Sequence, residues 1–200
     1  MTPNPSLKRS ANGRPPGPVC GHRLFSTARA WRPTVVAHLA RTLGPAESAP
    51  RMLAIRPALP ADAHECVRLR GMTRENAVSP ERLASIGITA HSWARDIESG
   101  KLPGWVCTNQ DEMVGYCFGD NTTGEVIVLA LLPAHEGQGL GRKLLAMVTE
   151  HLRSRGHSTL FLGCAADSKV RSHGFYRHLG WQSTGHIDRY GDEVLELQAS

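Results

Sequence analysis

Residues 125–155, EVIVLALLPAHEGQGLGRKLLAMVTEHLRSR, decide the fold because they predict a strand, a glycine loop and a helix in direct succession. The apolar run 126–132 ends at Pro133, which indicates a buried strand. Beyond the glycines, apolar residues recur at three-, four- and seven-residue steps, which is typical of one face of a helix. These residues are Leu140, Leu144, Leu145, Met147, Val148 and Leu152.

The start of this helix predicts an anion-binding site. No Ser, Thr, Asp or Asn precedes it, so the first backbone N–H groups lack the usual side-chain acceptor. The glycines of the loop allow a ligand to come close to these groups. Arg142 and Lys143 lie in the first turn, where the helix dipole disfavours cations by a few tenths to about 1 kcal/mol each. A bound polyphosphate reverses that penalty, so the segment predicts a pyrophosphate cradle.

Two familiar phosphate loops do not fit this segment. A Walker loop needs a Ser or Thr hydroxyl after its lysine, and Leu144 stands there. The dinucleotide fingerprint needs a glycine at its sixth position, where counting from Gly137 gives Arg142. Taken alone, the stretch also leaves open a flexible glycine-rich loop without a ligand.

A second block has a similar arrangement. Residues 158–164 predict a buried strand, residues 165–168 predict a turn that can cap a helix, and residues 170–179 predict that helix, which Gly180 closes. The stretch GFYRHLGW at 174–181 places a Phe-Tyr pair on the helix and a Gly-Trp pair at its end.

Together, the two blocks resemble the GNAT superfamily of acetyl-CoA-dependent N-acetyltransferases. The resemblance extends back to LAIRP at 53–57 and forward to EVLEL at 193–197, and it covers about three quarters of the chain. It implies an α/β fold of the α+β type, with a mixed, mostly antiparallel sheet of about six to seven strands flanked by about four helices.

The intervening region is expected to shape the acceptor side of the site. Residues 62–70 and 89–99 predict two helices, the second with Thr89 as N-cap and Gly100 after its end. Residues 105–108 and 113–118 predict a hairpin around the turn 109–112.

Charge separates the chain into two parts. Residues 1–51 contain eight Lys or Arg and one acid, a formal charge of +7, whereas residues 52–200 contain fifteen against seventeen, or −2. We expect a disordered basic tail at 1–51 and one N-acetyltransferase domain at 52–200. The tail could be an over-long reading frame with Met52 as the true start, a natural arm, or an organelle presequence around residues 23–30. Its arginines are scattered rather than clustered, so we expect no nucleic-acid partner.

The five cysteines lack C-x-x-C spacing, which favours a reducing, cytoplasmic compartment over a disulfide framework. His173 and His178 are five residues apart and so do not share a helix face, and we expect no metal site. No apolar run approaches the length of about 20 residues that spans a bilayer, so no membrane partner is expected. The sequence leaves a homodimer open.

The resemblance implies that Glu125 is the catalytic base and Tyr176 the general acid. An amine with a pKa near 10.4 is almost fully protonated at neutral pH, and a positioned base contributes about 10²- to 10⁴-fold. The departing thiolate needs a proton, which a tyrosine can donate. Phe175 is expected to face the core and Tyr176 the cleft. Alternatively, Glu125 is merely solvated, with Asp120 as the nearest substitute, and Tyr176 only packs against the pantetheine.

The resemblance also assigns the residues that bind acetyl-CoA, the acetyl donor. Backbone groups of β-strand residues would pair with the pantetheine amides, and the glycine loop and Lys169 would meet the phosphates. The expected set is Leu129, Ala130, Leu131, Gly137, Gln138, Gly139, Leu140, Gly141, Arg142 and Lys169. Two positions depart from the family. Glu136 replaces an Arg or Gln and would repel phosphates unless it points to solvent, and Lys169 replaces an Asn.

The expected reaction is acetyl transfer to a primary amine of a small molecule by direct attack in a ternary complex. The charge of −2 on residues 52–200 and the acids of the last hairpin, Asp188, Asp192 and Glu193, favour a cationic acceptor. Two alternatives remain from the sequence, a protein N-terminal or lysine acetyltransferase and a non-catalytic acyl-CoA-binding sensor.

Overall fold

The computed structural model describes residues 52–75 and 77–199. Across these residues the chain forms seven β-strands. They are β1 (Leu53–Pro57), β2 (Gly104–Asn109), β3 (Glu112–Gly119), β4 (Val126–Leu131), β5 (Thr159–Ala165), β6 (Gln182–Ile187) and β7 (Asp192–Gln198). The hairpin predicted between β2 and β3 is present, as is the predicted last strand. The tail prediction falls on residues outside the described ranges, so the boundary at Met52 stays a prediction.

Five α-helices accompany the strands in the described ranges. They are α1 (Ala63–Arg70), α2 (Pro80–Ser85), α3 (Ala90–Glu98), α4 (Leu140–Ser154) and α5 (Arg171–His178). Thr89 caps α3 as predicted, because its side chain accepts a hydrogen bond from the N–H of Ser92 at 3.0 Å. None of the described helices is long and apolar enough to cross a bilayer.

The strands form two hydrogen-bonded sheets rather than one continuous sheet. The first has the order β1-β2-β3-β4 and the second β5-β7-β6, and neighbours within each sheet are antiparallel. An isolated parallel bridge between Glu125 and Phe161 joins β4 to β5 at the start of β4. The predicted mixed, mostly antiparallel architecture is confirmed, and the separation after this bridge is the feature that the sequence did not reveal.

Helix α4 covers the first sheet, with its apolar face against β2, β3 and β4. The predicted face is buried at Leu140, Leu144, Leu145, Val148 and Leu152, whereas Met147 is half-buried. Each buried leucine contributes about 1.5–3 kcal/mol of transfer free energy. This packing fixes the helix start, and therefore the glycine loop, against the end of β4.

Two helix predictions need correction. Helix α2 lies between the two helices predicted at 62–70 and 89–99, where the sequence analysis predicted no helix, and Ser79 caps it by accepting a hydrogen bond from the N–H of Arg82. It was missed because it is one short, mostly exposed element. Helix α5 begins after Val170 without a side-chain cap. Asp167 instead accepts the N–H of Lys169 at 2.9 Å, within the preceding turn.

Candidate active site

A cleft of about 630 Å³ opens where β4 and β5 separate. On one edge β4 pairs with β3 as far as Leu131, while β5 pairs with β7. Beyond the Glu125–Phe161 bridge, no ladder joins β4 to β5 in the described residues. Because alternate residues of a strand direct their N–H and C=O groups to opposite edges, β4 offers backbone donors and acceptors to this cleft.

The three strand residues predicted to bind the pantetheine all line this cleft. Ala130 is buried, and Leu129 and Leu131 are half-buried. Their register with β3 is continuous, from Cys117 opposite Leu129 to Gly115 opposite Leu131. The backbone at this point is therefore held on one side and open on the other.

The glycine loop forms the wall at the far end of β4. Gly137 and Gly139 have φ angles of 73° and 77°, in the left-handed region that favours glycine. Gly139 is the N-cap of α4 and gives it no side-chain cap. A Cβ at either glycine would meet nothing within 4 Å, so the space beside the helix start is open. Unsatisfied N–H groups facing open space fit an anionic group such as a pyrophosphate.

The remaining loop residues have different surroundings. Gly141 is buried, and a Cβ there would lie 3.3 Å from Cδ1 of Leu131, so the helix approaches the strand closely. The Leu140 side chain belongs to the core, and this residue can meet a ligand only through its backbone. Gln138 donates to the carbonyl of Ala134 at 3.2 Å.

The two predicted cationic contacts are placed differently. Arg142 is exposed and lines the cleft. Lys169 is also exposed but does not line the cleft, because it lies in the turn before α5. Of the two predicted cationic ligands, only Arg142 lies beside the glycine loop.

Glu136 is placed in a way that the sequence did not anticipate. Its side chain is only 18% exposed and forms ion pairs with Arg74, at 3.0 Å, and with Arg171. The expectation that it either repels phosphates or points to solvent is therefore incomplete, because two arginines of the same cleft neutralise it. The backbone N–H of Arg171 also donates to the Glu75 carboxylate at 3.0 Å.

Tyr176 lies deep in the cleft. Its ring is in edge-to-face contact with Phe175 and with Trp181, at centroid distances of 5.1 and 6.2 Å. Phe175 was expected to face the core, but both rings line the cleft and Tyr176 is the more buried. Burial raises the pKa of the Tyr176 hydroxyl well above its ordinary value, so this group stays protonated throughout the neutral range.

Glu125 stands at the bridge between the two sheets, immediately before the first β4 residue that lines the cleft. Burial raises the pKa of its carboxyl group, and the neighbouring charges of Asp120 and Asp188 raise it further. Asp120, the substitute base, is engaged in the preceding turn, where Oδ1 accepts the N–H groups of Thr122 and Thr123 at 2.6 and 3.2 Å.

Sequence reasoning missed several residues of this cleft because they come from distant parts of the chain. The end of α1, the α1–α2 connection and the N-terminal part of α5 contribute Arg70, Thr73, Arg74, Glu75, Arg171 and Ser172. The hairpin acid Asp192 also lines the cleft. A Cβ on Gly163 of β5 would lie 3.5 Å from Cβ of Asp192 and 3.6 Å from Oδ2 of Asp188, which places both acids over this strand.

Comparison with known families agrees with this geometry. The family model described as Acetyltransferase (GNAT) family matches residues 68–181, which is more than half of the chain. The chain belongs to the GNAT acetyltransferase family. The predicted family and enzyme class are therefore confirmed, and acetyl-CoA is the acetyl donor of this family. The match spans both blocks that carried the resemblance, the glycine loop with α4 and the Phe-Tyr helix α5.

Individual relatives of this GNAT chain match it more locally in sequence and more widely in fold. A mycothiol acetyltransferase from Catenulispora acidiphila is 40% identical over 68 residues, 34% of this chain and 21% of the relative. The chain thus spans about a fifth of the length of that curated relative. PaiA N-acetyltransferase from Thermoplasma acidophilum, solved with coenzyme A, has 16% identity and a TM-score of 0.61 over 73% of this chain and 98% of its own.

A third similar structure is YncA, a putative acetyltransferase from Salmonella typhimurium solved with acetyl-CoA. It is 20% identical, with a TM-score of 0.58 over 74% of this chain and 94% of its own. At these identities the likeness to solved structures shows the fold and does not identify the acceptor.

Proposed function

We propose that this GNAT protein transfers the acetyl group of acetyl-CoA to a primary amine of a small, cationic molecule, by direct attack in a ternary complex. The observation that carries the proposal is the free β4 edge between the Glu125–Phe161 bridge and the glycine loop. An extended pantetheine arm can add to such an edge as an extra strand, with the pyrophosphate at the helix start.

The residues proposed to bind acetyl-CoA follow this edge in order. Leu129, Ala130 and Leu131 supply backbone groups to the pantetheine, and one of their N–H groups can polarise the thioester carbonyl. The N–H groups of residues 137–141 and the side chain of Arg142 meet the pyrophosphate. Lys169 is the weakest member of the predicted set, because its exposed side chain lies outside the cleft.

Glu125 is proposed to accept the proton of the attacking amine, directly or through a water molecule. Its raised pKa makes it a stronger base than an ordinary glutamate, while it remains able to ionise because it is only half-buried. Asp120 is a poorer candidate because its carboxylate already accepts two backbone N–H groups, which hold it in the turn before β4.

Tyr176 is proposed to donate a proton or a hydrogen bond to the departing thiolate. A donor must stay protonated at the pH of the reaction, and the buried Tyr176 hydroxyl does so. The ion pair between Arg177 and Glu193 ties α5 to β7 next to this tyrosine. This contact holds the proposed donor in place.

The acceptor is proposed to approach from the acidic end of the cleft. Asp192 lines the cleft and Asp188 lies beside it over Gly163, while Glu125 stands at the bridge to β5. Burial and Asp188 raise the pKa of Asp192 more than the positive charge of Arg70 lowers it, so a further positive charge there would stabilise the carboxylate. The arginines at the glycine loop form the other end, so the two substrates meet opposite charges.

A panel of amines tests this proposal. Release of the CoA thiol would be measured with diamines, amino acids, their neutral amides and peptides of free or blocked N-terminus, each over a matrix of acetyl-CoA concentrations. We expect the highest kcat/KM with a small amine that carries a second positive charge, and intersecting initial-rate lines. Preference for peptides would favour a protein acetyltransferase, and acetyl-CoA binding without thiol release for any amine would favour a sensor.

A further inference from the structure

The cluster formed by Arg74, Glu75, Glu136 and Arg171 is not explained by the acetyl-transfer chemistry. It joins three separate segments, the α1–α2 connection, the residue before the glycine loop and the first turn of α5. All four residues line the cleft. The cluster therefore lies at the phosphate end of the cleft, next to Gly137.

The carboxylates of this cluster do not occupy all the donors of its two guanidinium groups. Glu136 shares one carboxylate between two guanidinium groups, and the side chains of Arg74 and Arg171 remain 54% and 57% exposed. A guanidinium group has five N–H donors in a planar fork that matches phosphate. Arg74 uses Nε and Arg171 uses Nη1 on Glu136. Both arginines thus retain exposed donors that a phosphate can reach.

We propose that Arg74 and Arg171 form an additional phosphate-binding subsite of the acetyl-CoA cleft, in which Glu136 is an internal counter-ion that the phosphate displaces. The inference rests on the proposed function, because it deepens the assignment of the cofactor end of the same cleft. It also gives a reason for the carboxylate at position 136. In the free protein Glu136 holds the two arginines beside the loop, and the bound phosphate takes over that role.

The subsite links the cofactor to the α1–α2 connection. Arg74 belongs to that connection, and Glu75 holds it to the N–H of Arg171 at 3.0 Å. A phosphate bound between the two arginines adds a further bond between this connection and α5.

Calorimetric titration of the full chain with CoA, dephospho-CoA and pantetheine tests the subsite. We expect Arg74→Gln and Arg171→Gln each to weaken CoA binding about three- to tenfold, as for charge-assisted bonds at a partly exposed site. Pantetheine lacks the phosphates, so its affinity should not change. An effect that persists with dephospho-CoA assigns the subsite to the pyrophosphate, and one seen only with CoA assigns it to the 3′-phosphate.

The variant Glu136→Gln distinguishes between two roles of Glu136, a counter-ion of the arginines and a purely structural link. If Glu136 is a counter-ion, its removal frees both arginines and tightens CoA binding. This gain in affinity disappears in the double variant with Arg74→Gln. If Glu136 is a purely structural link, its removal loosens the loop and weakens the binding of CoA and of pantetheine alike. Arg95→Gln is the matched control, because this exposed arginine also pairs with an acid, Asp96, but lies outside the cleft.

Two results would overturn the subsite. One is unchanged CoA affinity in both arginine variants, and the other is an equal loss for pantetheine. Arg74→Lys and Arg171→Lys, which keep the charge, should restore part of the affinity and provide folded variants if the glutamine variants do not fold. Failure of the unmodified chain to bind CoA would instead contradict the proposed function, so the two failures are distinguishable.

Discussion

Glu125 forms a parallel bridge with Phe161, and the Phe161 N–H donates a hydrogen bond at 3.3 Å to the carbonyl of Gly124, the residue before Glu125. This bridge fastens the two sheets at the start of β4, and the cleft opens beyond it. Leu131 lies six residues further along, which corresponds to about 20 Å of extended strand. The proposed base and the proposed phosphate cradle are thereby held at opposite ends of one strand.

The position of Glu125 has a cost in stability that a single substitution should reveal. Its pKa in the folded chain is raised above the ordinary value of 4.5. The contribution of this carboxyl group to folding stability is therefore fully present below pH 4.5. It is lost as the pH rises through the folded-state pKa. We expect Glu125→Gln to raise the melting temperature at neutral pH, with the difference vanishing below pH 4.5. Glu112→Gln, at an exposed position, is the control, and an equal shift in both would contradict this explanation.

Tyr176→Phe removes the proposed proton donor and keeps the ring. Because the edge-to-face contacts with Phe175 and Trp181 involve the ring, we expect an unchanged melting temperature. The expected loss in kcat is about 100-fold, the lower end of what a positioned acid contributes. Steady-state kinetics would compare it with Tyr190→Phe, a change of the same kind at a residue that is 67% exposed. Full activity in Tyr176→Phe would leave this residue only a packing role.

Gly139→Ala tests the phosphate cradle against a matched glycine. Gly139 and Gly185 have φ angles of 77° and 75°, and a Cβ at either would meet nothing within 4 Å. Both alanine variants should therefore lose a similar amount of stability, about 1–2 kcal/mol for the left-handed conformation. Only Gly139→Ala should also weaken acetyl-CoA binding, because its methyl group occupies the space beside the helix start. Equal affinities by calorimetry would argue against the cradle.

Asp192→Asn tests the acidic end of the cleft. We expect KM for an amine with a second positive charge to rise about two- to tenfold, in line with the loss of one hydrogen-bonded contact of ordinary net strength. KM for an amine with a neutral tail should hardly change, and neither should KM for acetyl-CoA. Asp111→Asn, in the β2–β3 turn, is the control for a general change in charge. A rise in KM that is the same for both amines would indicate a steric effect instead.

The parts of the fold that depend on local sequence were predictable. The spacing from Leu140 to Leu152 predicted α4, and Thr89 with Gly100 predicted α3, because helix faces and caps are set by neighbours three or four residues apart. The separation of β4 from β5 was not predictable in this way. It depends on which strand edges pair, and Glu125 and Phe161 are distant in sequence.

The same distinction holds for the site. The glycine loop and the Phe-Tyr helix were recognised because each is a continuous motif, and the family match at 68–181 confirms the class that they indicated. The ion pairs of Glu136 were missed because Arg74 is 62 residues away and Arg171 is 35. The cytoplasmic location, a homodimer and the role of residues 1–51 stay predictions. In the described residues, no group of three candidate metal ligands comes together.

The most direct test of the account is a comparison of Glu125→Gln with the unmodified chain for two quantities in the same samples, acetyl-CoA affinity by calorimetry and amine-dependent thiol release. We predict unchanged affinity and a fall in kcat of about 10²- to 10⁴-fold, the contribution of a positioned base. Thiol release at the normal rate in Glu125→Gln, or no acetyl-CoA binding by the unmodified chain, would contradict the account.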